Sequence, residues 1–173
     1  MTGYMARAET CEWSTPPAVF DPLQQEFGPF DLDPAAAAWN AKAPHYYTIE
    51  TRGERSPWFG KVWLNPPYGD DVKVFLRHGV QYLDSGACSL IVALLPVRTD
   101  TAWFHDLVQP RASEIRYWRG RIRFLRLPGS LCKTCERKGK PTCTCSAPFP
   151  SMVVVMRAGA APAIKTGQTR LGV

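Results

Sequence analysis

The 173-residue sequence contains no apolar run of the ~20 residues that a membrane-spanning helix requires. The longest candidate, residues 88–97, has the length of one strand. The first nine residues lack the apolar segment of a signal peptide, and nothing in them indicates export. These absences predict a cytoplasmic protein that has no membrane as a partner.

Histidine is scarce, which limits the chemistry that the chain can carry. The three histidines, His45, His78 and His105, are not spaced as a metal-binding or catalytic set, and we interpret them as surface or helix residues. Internal repeats and long linkers are absent from the sequence too. With 45% apolar and 21% charged residues, the composition is typical of a globular protein, and the length predicts a single domain over residues 1–173.

Positive charge is concentrated in one part of the chain. Residues 111–140 contain ten Lys or Arg and two acidic residues, whereas the rest of the chain contains eleven basic and thirteen acidic residues. A basic segment beside a mildly acidic body is typical of proteins that bind a polyanion such as nucleic acid. The alternative is a solvated basic face that improves solubility.

Strand-like and helix-like segments alternate along the sequence. The predicted strands are 30–33, 46–49, 61–64, 89–95, 114–118, 121–125 and 152–156, and the predicted helices are 18–27, 71–83 and 99–108. Residues 35–43 are alanine-rich and could begin a further helix that Pro44 would stop. This alternation predicts an α/β fold with a mostly parallel sheet, in which ligands bind at the carboxyl ends of the strands.

The segment Asn65-Pro66-Pro67-Tyr68 directly follows an apolar strand and precedes a capped helix. The side-chain oxygen of Asn65 and the main-chain carbonyl of Pro66 are two hydrogen-bond acceptors, and the adjacent prolines fix the backbone that aims them. Two such acceptors can take both hydrogens of a planar amine whose lone pair is delocalised, which raises the electron density on its nitrogen. Tyr68 can stack on an extruded base. The alternative is an ordinary strand-to-turn connection in which Tyr68 only packs.

Six segments, taken in order, resemble one known family. They are Trp13-Ser-Thr-Pro-Pro, Phe30-Asp-Leu-Asp-Pro-Ala-Ala, Val62-Trp-Leu-Asn-Pro-Pro-Tyr-Gly, Leu95-Pro followed by Trp103-Phe-His, Gly120-Arg-Ile-Arg-Phe and Ala147-Pro-Phe-Pro-Ser. Together they resemble the phage-type DNA N-6-adenine methyltransferases, the Dam family of phages and prophages, over residues 13 to about 157.

The resemblance has consequences for fold, activity and location. It implies a Rossmann-like methyltransferase fold, S-adenosylmethionine as methyl donor, and adenine in double-stranded DNA as acceptor, with the base flipped out of the helix. It also implies that Asn65, Pro66, Pro67 and Tyr68 form the catalytic motif. The cytoplasm would then be that of a bacterium or of a phage-infected host.

The resemblance further indicates where the donor binds. Trp13, Thr15 and Pro16 match the family's N-terminal segment, which closes over the methionine part of S-adenosylmethionine. Thr15 and Pro16 could alternatively be only a helix entry, because proline is common in the first helical turn.

Two carboxylates follow predicted strands and are candidates for donor binding. Asp33 can accept a hydrogen bond from the donor's ammonium group, directly or through water, and Pro34 and Ala35 are small enough for the backbone to approach the donor. Methyltransferases usually have glycines in this turn, and this sequence has none there. Glu50 follows Asp33 by 17 residues, close to the spacing of the acid that binds ribose hydroxyls in dinucleotide folds. Asp33 could instead cap the next segment, and Glu50 could be a solvated loop acid.

Arginines recur on both sides of Gly120. In a strand, Arg119, Arg121 and Arg123 project from the same face. Such a row beside the catalytic edge predicts contacts with DNA phosphates. Alternatively, part of this row pairs with Glu114 or lies in a solvated strand edge.

Four of the six cysteines lie within fourteen residues, in an insertion, 128–148, whose cysteine segment is not part of the family pattern. Cys132, Cys135, Cys143 and Cys145 are separated by two, seven and one residues, and four thiolates match a tetrahedral zinc ion. The last spacing is shorter than in zinc ribbons, so disulfides or free thiols are the alternatives. We predict a structural zinc in a cysteine-rich insertion that adds DNA contacts, since four protein ligands leave no open position for catalysis.

The Asn-Pro-Pro-Tyr motif suits other acceptors as well. Cytosine N-4, adenine in RNA and a protein glutamine amide are all planar amines with a delocalised lone pair. A different class of function is a non-catalytic, zinc-containing DNA-binding protein on a methyltransferase scaffold. The missing glycine turn leaves that alternative open, whereas the intact segment from Asn65 to Tyr68 favours an adenine-specific enzyme.

Overall fold

A computed structural model describes residues 13–126, 135, 137–139 and 145–162. These residues form, in chain order, α1 (Pro17–Phe27), β1 (Leu32–Asp33), β2 (His45–Tyr46), β3 (Gly60–Leu64), α2 (Asp71–Asp84), β4 (Cys88–Pro96), a π-helical turn (Phe104–Val108), β5 (Ala112–Tyr117) and β6 (Ser151–Arg157). The strands make one six-stranded sheet in the order β2-β1-β3-β4-β6-β5. Strand β6 runs antiparallel to both of its neighbours, and the other pairs are parallel. The predicted α/β fold with a mostly parallel sheet is confirmed.

Strand β4 is the centre of the molecule and is buried on both faces. Its residues alternate, so that Val92 and Leu94 belong to the apolar cluster that contains α1. Ile91 and Ala93 belong to the cluster that contains α2. A strand covered on both faces needs a continuous apolar sequence, and this is why residues 88–96 show no polar alternation. The two helices therefore lie on opposite faces of the sheet.

Both principal helices were predicted within one residue at each end. Helix α1 has Pro16 at its N-cap and begins at Pro17, where a missing backbone N–H costs nothing. Helix α2 follows Asp70, which occupies the N-cap position although its side chain makes no capping hydrogen bond. Each helix turns one apolar stripe toward the sheet.

The alanine-rich residues 35–43 form turns, so the prediction of a further helix there was wrong. The carboxylate of Asp33 accepts hydrogen bonds from the backbone N–H groups of Ala35 at 3.3 Å and Lys42 at 3.0 Å. The Asn40 side chain accepts a third, from Ala37 at 2.7 Å. These side-chain acceptors replace the carbonyls that a helix would use, so the segment curls around a buried acid.

Four further predictions about the elements need correction. The strand expected at 30–33 is limited to Leu32–Asp33, and the one expected at 46–49 is His45–Tyr46. The Thr48 N–H donates to the hydroxyl of Thr51 at 2.7 Å, which turns the chain away from the sheet. The helix expected at 99–108 is reduced to a short segment with a π-helical turn. Among the described residues, 121–125 do not join the sheet; Leu125 forms an isolated bridge with Ser14, and the Ile122 carbonyl accepts from the N–H of Ala147.

Candidate active site

A cavity of about 780 Å³ opens at the carboxyl edge of the sheet. Its walls come from the segments that follow β1, β2 and β3, from the first turns of α2 and from Trp13. Eight predicted site residues line it, namely Trp13, Pro34, Ala35, Glu50, Asn65, Pro66, Pro67 and Tyr68. The structure thus brings the candidate catalytic motif and most of the candidate donor-binding residues to one place. Of the candidates for donor binding, Thr15, Pro16 and Asp33 are not among the lining residues.

Asn65 is the first residue after β3 and forms part of the cavity wall. Its side-chain Nδ2 donates to the main-chain carbonyl of Trp13 at 3.0 Å, and its Oδ1 accepts from the hydroxyl of Tyr68 at 3.1 Å. A carbonyl can only accept, so the Trp13 contact determines which end of the Asn65 amide is the oxygen. The Tyr68 contact uses one lone pair of that oxygen, and the second is left for an N–H of a ligand.

Tyr68 lies in an aromatic cluster. Its ring is nearly perpendicular to those of Trp13, Phe124 and Phe149, with ring centroids 6.0, 6.0 and 5.1 Å away. Its hydroxyl also lies 3.2 Å from the carbonyl oxygen of Leu94, in β4. Burial raises the pKa of the Tyr68 hydroxyl above its ordinary value, so the group stays protonated and acts as a donor.

The segment that begins at Trp13 is joined to the extended segment at 121–125. Ser14 and Leu125 exchange two main-chain hydrogen bonds of 2.9 Å. The Trp13 ring stacks on Phe124 and Phe149, with centroids 5.2 and 5.8 Å apart. Trp13 therefore connects three parts of the chain that are far apart in sequence, because its carbonyl also binds Asn65.

Thr15 and Pro16 lie next to the cavity wall rather than in it. The Pro16 carbonyl accepts hydrogen bonds from the N–H groups of Val19 and Phe20, so this residue serves as the entry to α1. The Thr15 hydroxyl is buried and has no hydrogen-bond partner among the described residues. Direct contact of either residue with a methyl donor stays a prediction.

Asp33 is buried beneath the loop that lines the cavity. Burial raises its pKa to about 7, against the opposing effect of the N–H groups of Lys42 and Ala35. Both carboxylate oxygens are used within the loop, so Asp33 fixes the position of Pro34 and Ala35, which line the cavity. A direct contact of Asp33 with the donor stays a prediction.

Glu50 is exposed at the cavity wall. The Thr48 hydroxyl donates to its carboxylate, and this hydrogen bond lowers the pKa of Glu50, which keeps the group ionised. Arg52, Glu54 and Arg55 also line the cavity, although no sequence motif identified them. Their position shortly after β2 could have indicated this, because the segments that follow parallel strands meet at the carboxyl edge of the sheet.

The described arginines of the basic segment differ in burial and in their contacts. Arg116, which precedes the predicted arginine row and lies in β5, forms ion pairs with Glu26 and Glu114. Arg119, Arg121 and Arg123 are exposed, while Ile122 and Phe124 between and beside them are buried. This alternation places Arg121 and Arg123 on the solvent side of an extended segment, as predicted, although the segment is not a strand of the sheet.

Two of the four clustered cysteines lie within the described residues. The Sγ atoms of Cys135 and Cys145 are 3.5 Å apart, whereas Cys132 and Cys143 lie outside the described residues. Within the described part of the chain, no group of three or more His, Cys, Asp or Glu residues is placed to hold a metal ion. The four-cysteine zinc site stays a prediction.

Comparisons with known proteins give matches to one family. The family model described as DNA N-6-adenine-methyltransferase (Dam) matches residues 4–166. A DNA N-6-adenine-methyltransferase of Escherichia phage T1 is 37% identical over 106 residues, which cover 60% of this chain and 42% of the relative. One of Haemophilus phage HP1 is 36% identical over 107 residues, which cover 61% of this chain and 60% of the relative. The matched regions thus span less than two thirds of either relative.

Two more findings bear on the predictions. Of the helices in the described ranges, none is both long and apolar enough to cross a membrane. The family match extends over nearly the whole chain and includes every described residue of the cavity wall. The resemblance seen in the sequence is confirmed, and the chain belongs to the DNA N-6-adenine-methyltransferase (Dam) family.

Proposed function

We propose that this chain transfers a methyl group from S-adenosylmethionine to the exocyclic N-6 amine of adenine in double-stranded DNA. The family and the descriptions of the two phage relatives support the reaction class and the acceptor. The single observation that carries the proposal is the Asn65 amide, which two hydrogen bonds hold at the wall of the cavity.

Asn65 and Pro66 would supply two hydrogen-bond acceptors for the adenine amine. The lone pair of this amine is delocalised into the ring, so the nitrogen is a weak nucleophile. The Asn65 Oδ1 and the Pro66 carbonyl would accept its two hydrogens, which returns electron density to the nitrogen as it attacks. The donor would supply the methyl group for a new nitrogen–carbon bond as its sulfur–carbon bond breaks, and one amine hydrogen would leave as a proton to water. Pro66 and Pro67 restrict the backbone, so the two acceptors need little reorganisation.

The cavity fits the donor in size and lining. S-adenosylmethionine supplies a methyl group bound to a positively charged sulfur. A volume of about 780 Å³ lies within the usual range of small-molecule sites, and both small side chains and an ionised acid line it. Trp13, Pro34, Ala35 and Glu50 would hold the donor, with the Glu50 carboxylate accepting from ribose hydroxyls. Asp33, Thr15 and Pro16 would complete this donor site, and Asp33 would also fix the loop that carries Pro34 and Ala35.

The target base would have to leave the DNA helix to reach Asn65. The acceptors lie in the wall of a concave site, and the amine of a stacked base cannot approach them there. Tyr68 and two exposed apolar residues at the wall, Ile49 (84% exposed) and Val74 (46% exposed), offer surfaces for a planar ring. We propose that the extruded adenine is held between such surfaces.

The wider architecture supports a Rossmann-like methyltransferase fold for residues 1–173. Helices cover both faces of the sheet, and the cavity lies at the carboxyl ends of β1, β2 and β3, where nucleotide-like ligands bind in open α/β sheets. The antiparallel position of β6 is the departure from a wholly parallel sheet.

We also propose that Arg119, Arg121 and Arg123 contact DNA phosphates. The three side chains are exposed, and their segment is held against the catalytic edge by the pairing of Leu125 with Ser14. Guanidinium groups in such a row can follow a phosphate backbone without reading the bases.

Cys132, Cys135, Cys143 and Cys145 are proposed as the ligands of one structural zinc ion in the insertion 128–148. The support is the distance of 3.5 Å between the Cys135 and Cys145 sulfurs. Two thiolates on a tetrahedral zinc lie roughly 3.8 Å apart, given Zn–S bonds of about 2.3 Å. Nine residues lie between these two cysteines, so their close approach does not follow from adjacency in the sequence.

Metal analysis tests the zinc site directly. The purified protein should contain about one zinc ion per chain, and the Cys135→Ser/Cys145→Ser variant should lose it, because two ligands are too few for a structural site. Cys88→Ala is the control, since this buried cysteine lies alone in β4 and should leave the zinc content unchanged. Zinc-free wild-type protein, or a double variant that keeps its zinc, would contradict the site.

Incubation of the protein with methyl-labelled S-adenosylmethionine and unmethylated DNA tests the proposed reaction. After digestion to nucleosides, mass analysis should find the label in N-6-methyladenine. Label in N-4-methylcytosine, in RNA or in protein would show a different acceptor. If donor binding gave no heat in calorimetry and no label moved, the chain would be a DNA-binding protein without activity.

A further inference from the structure

We infer that Tyr68 is a positioning residue, whose hydroxyl holds the Asn65 amide oxygen in the orientation that accepts the substrate amine. This role is additional to base stacking by the Tyr68 ring, and it rests on the proposed function. The observation behind it is the pair of contacts at Asn65, one from the Tyr68 hydroxyl to Oδ1 and one from Nδ2 to the Trp13 carbonyl.

Orientation matters because an asparagine amide has two chemically opposite ends. The terminal torsion of asparagine is broad and nearly two-fold, so a free amide can rotate its NH₂ group into the place of its oxygen. A rotated Asn65 would present donors to an amine that is itself a donor, and catalysis would stop. The Trp13 carbonyl can only accept, so it directs Nδ2 toward Trp13, and the Tyr68 hydroxyl then donates to Oδ1 and holds it in that orientation.

Tyr68 is itself held rigidly enough to fix another side chain. Its ring packs against Trp13, Phe124 and Phe149. Its hydroxyl carries one hydrogen, shared between the Asn65 oxygen at 3.1 Å and the Leu94 carbonyl at 3.2 Å. Leu94 is fully buried in the central strand β4, so the hydroxyl also contacts the main chain of that strand. The Tyr68 hydroxyl therefore links the main chain of the central strand β4 to the side-chain amide of Asn65.

Stacking and positioning use different parts of Tyr68, which makes them separable. Stacking needs the ring, and phenylalanine has the same ring. Positioning needs the hydroxyl, which phenylalanine lacks. If Tyr68 only stacks, Tyr68→Phe should behave like the wild-type protein.

Tyr68→Phe should lower the single-turnover rate of adenine methylation about tenfold, the size expected when one orienting hydrogen bond is lost. The KM for DNA and the dissociation constant for S-adenosylmethionine should stay within about twofold, because the ring remains. Tyr82→Phe is the matched control, since it removes a hydroxyl from α2 outside the cavity and should leave the rate unchanged.

A double-mutant cycle separates positioning from a general structural effect. In the Asn65→Ala background there is no amide to orient, so adding Tyr68→Phe should cost less than about twofold. A structural role would cost the same factor in both backgrounds and would overturn the inference. A wild-type rate in Tyr68→Phe would overturn it as well. A wild-type protein that makes no N-6-methyladenine would instead contradict the proposed function, so the two failures are distinguishable.

Discussion

Asn65→Ala should lower the rate of methyl transfer at saturating substrates by about 10²–10³-fold, the size seen when a preorganised electrostatic group is removed from an active site. The alanine side chain cannot accept a hydrogen from the amine, and the contacts with Trp13 and Tyr68 are lost with it. The dissociation constant for S-adenosylmethionine should change by less than about twofold, because Asn65 acts on the acceptor.

Single-turnover transfer of labelled methyl and calorimetry of donor binding check the two parts of this result. Asn65→Asp is an informative comparison, since it keeps an acceptor oxygen but places a carboxylate oxygen against the Trp13 carbonyl. We expect its rate to lie between those of the wild-type protein and Asn65→Ala. Gln81→Ala, on the exposed face of α2, controls for handling and folding. A rate for Asn65→Ala within about tenfold of wild type would remove Asn65 from the catalytic step.

The two principal helices and the central strand could be predicted from the sequence because the burial of each leaves a local apolar pattern. Strand β4 is covered on both faces, so its apolar run is visible without knowledge of its neighbours. Helix α2 shows a clear apolar stripe from Val72 to Leu83 for the same reason. The loop at 35–43 could not be predicted in this way, because its course depends on one buried carboxylate, Asp33, that bonds to Lys42 nine residues later.

The individual segments of the candidate site could be predicted from the sequence, but the contacts between these segments could not. The segment from Asn65 to Tyr68 is recognisable because two prolines and a strand end fix its local geometry. The bond from Asn65 to the Trp13 carbonyl joins residues 52 positions apart, and no local pattern encodes it. The cavity-lining residues Arg52, Glu54 and Arg55 were missed for the opposite reason, since a polar stretch between strands is common and carries little information.

These long-range contacts link the proposed DNA-binding segment to the catalytic amide. Leu125 pairs with Ser14, which directly follows Trp13 in the sequence. The carbonyl of Trp13 in turn accepts a hydrogen bond from Asn65. Phe124 adds a second link, because it packs against both Trp13 and Tyr68. The arginines at 121 and 123 therefore lie on a segment whose position depends on the same residues that orient Asn65. Binding of a phosphate backbone at this segment would place the DNA beside the cavity.

Arg121→Gln/Arg123→Gln should weaken DNA binding about 30-fold at roughly 0.15 M salt, because each lost phosphate contact costs about fivefold there. The slope of log affinity against log salt should become shallower by about 2. The effect should be the same for DNA of any sequence, since phosphate contacts do not distinguish bases. Fluorescence anisotropy with a labelled duplex over a range of salt concentrations measures both quantities.

Arg77→Gln/Arg157→Gln is the matched control, because it removes the same two charges from exposed positions elsewhere. Arg157 ends β6 at the edge of the sheet opposite the cavity, and Arg77 lies within α2. If affinity depended only on net charge, the two variants would weaken binding equally, and the arginine row would have no special role. A large loss confined to Arg121→Gln/Arg123→Gln, with the rate at saturating DNA preserved, would place the phosphate backbone along the segment that is bonded to the catalytic edge.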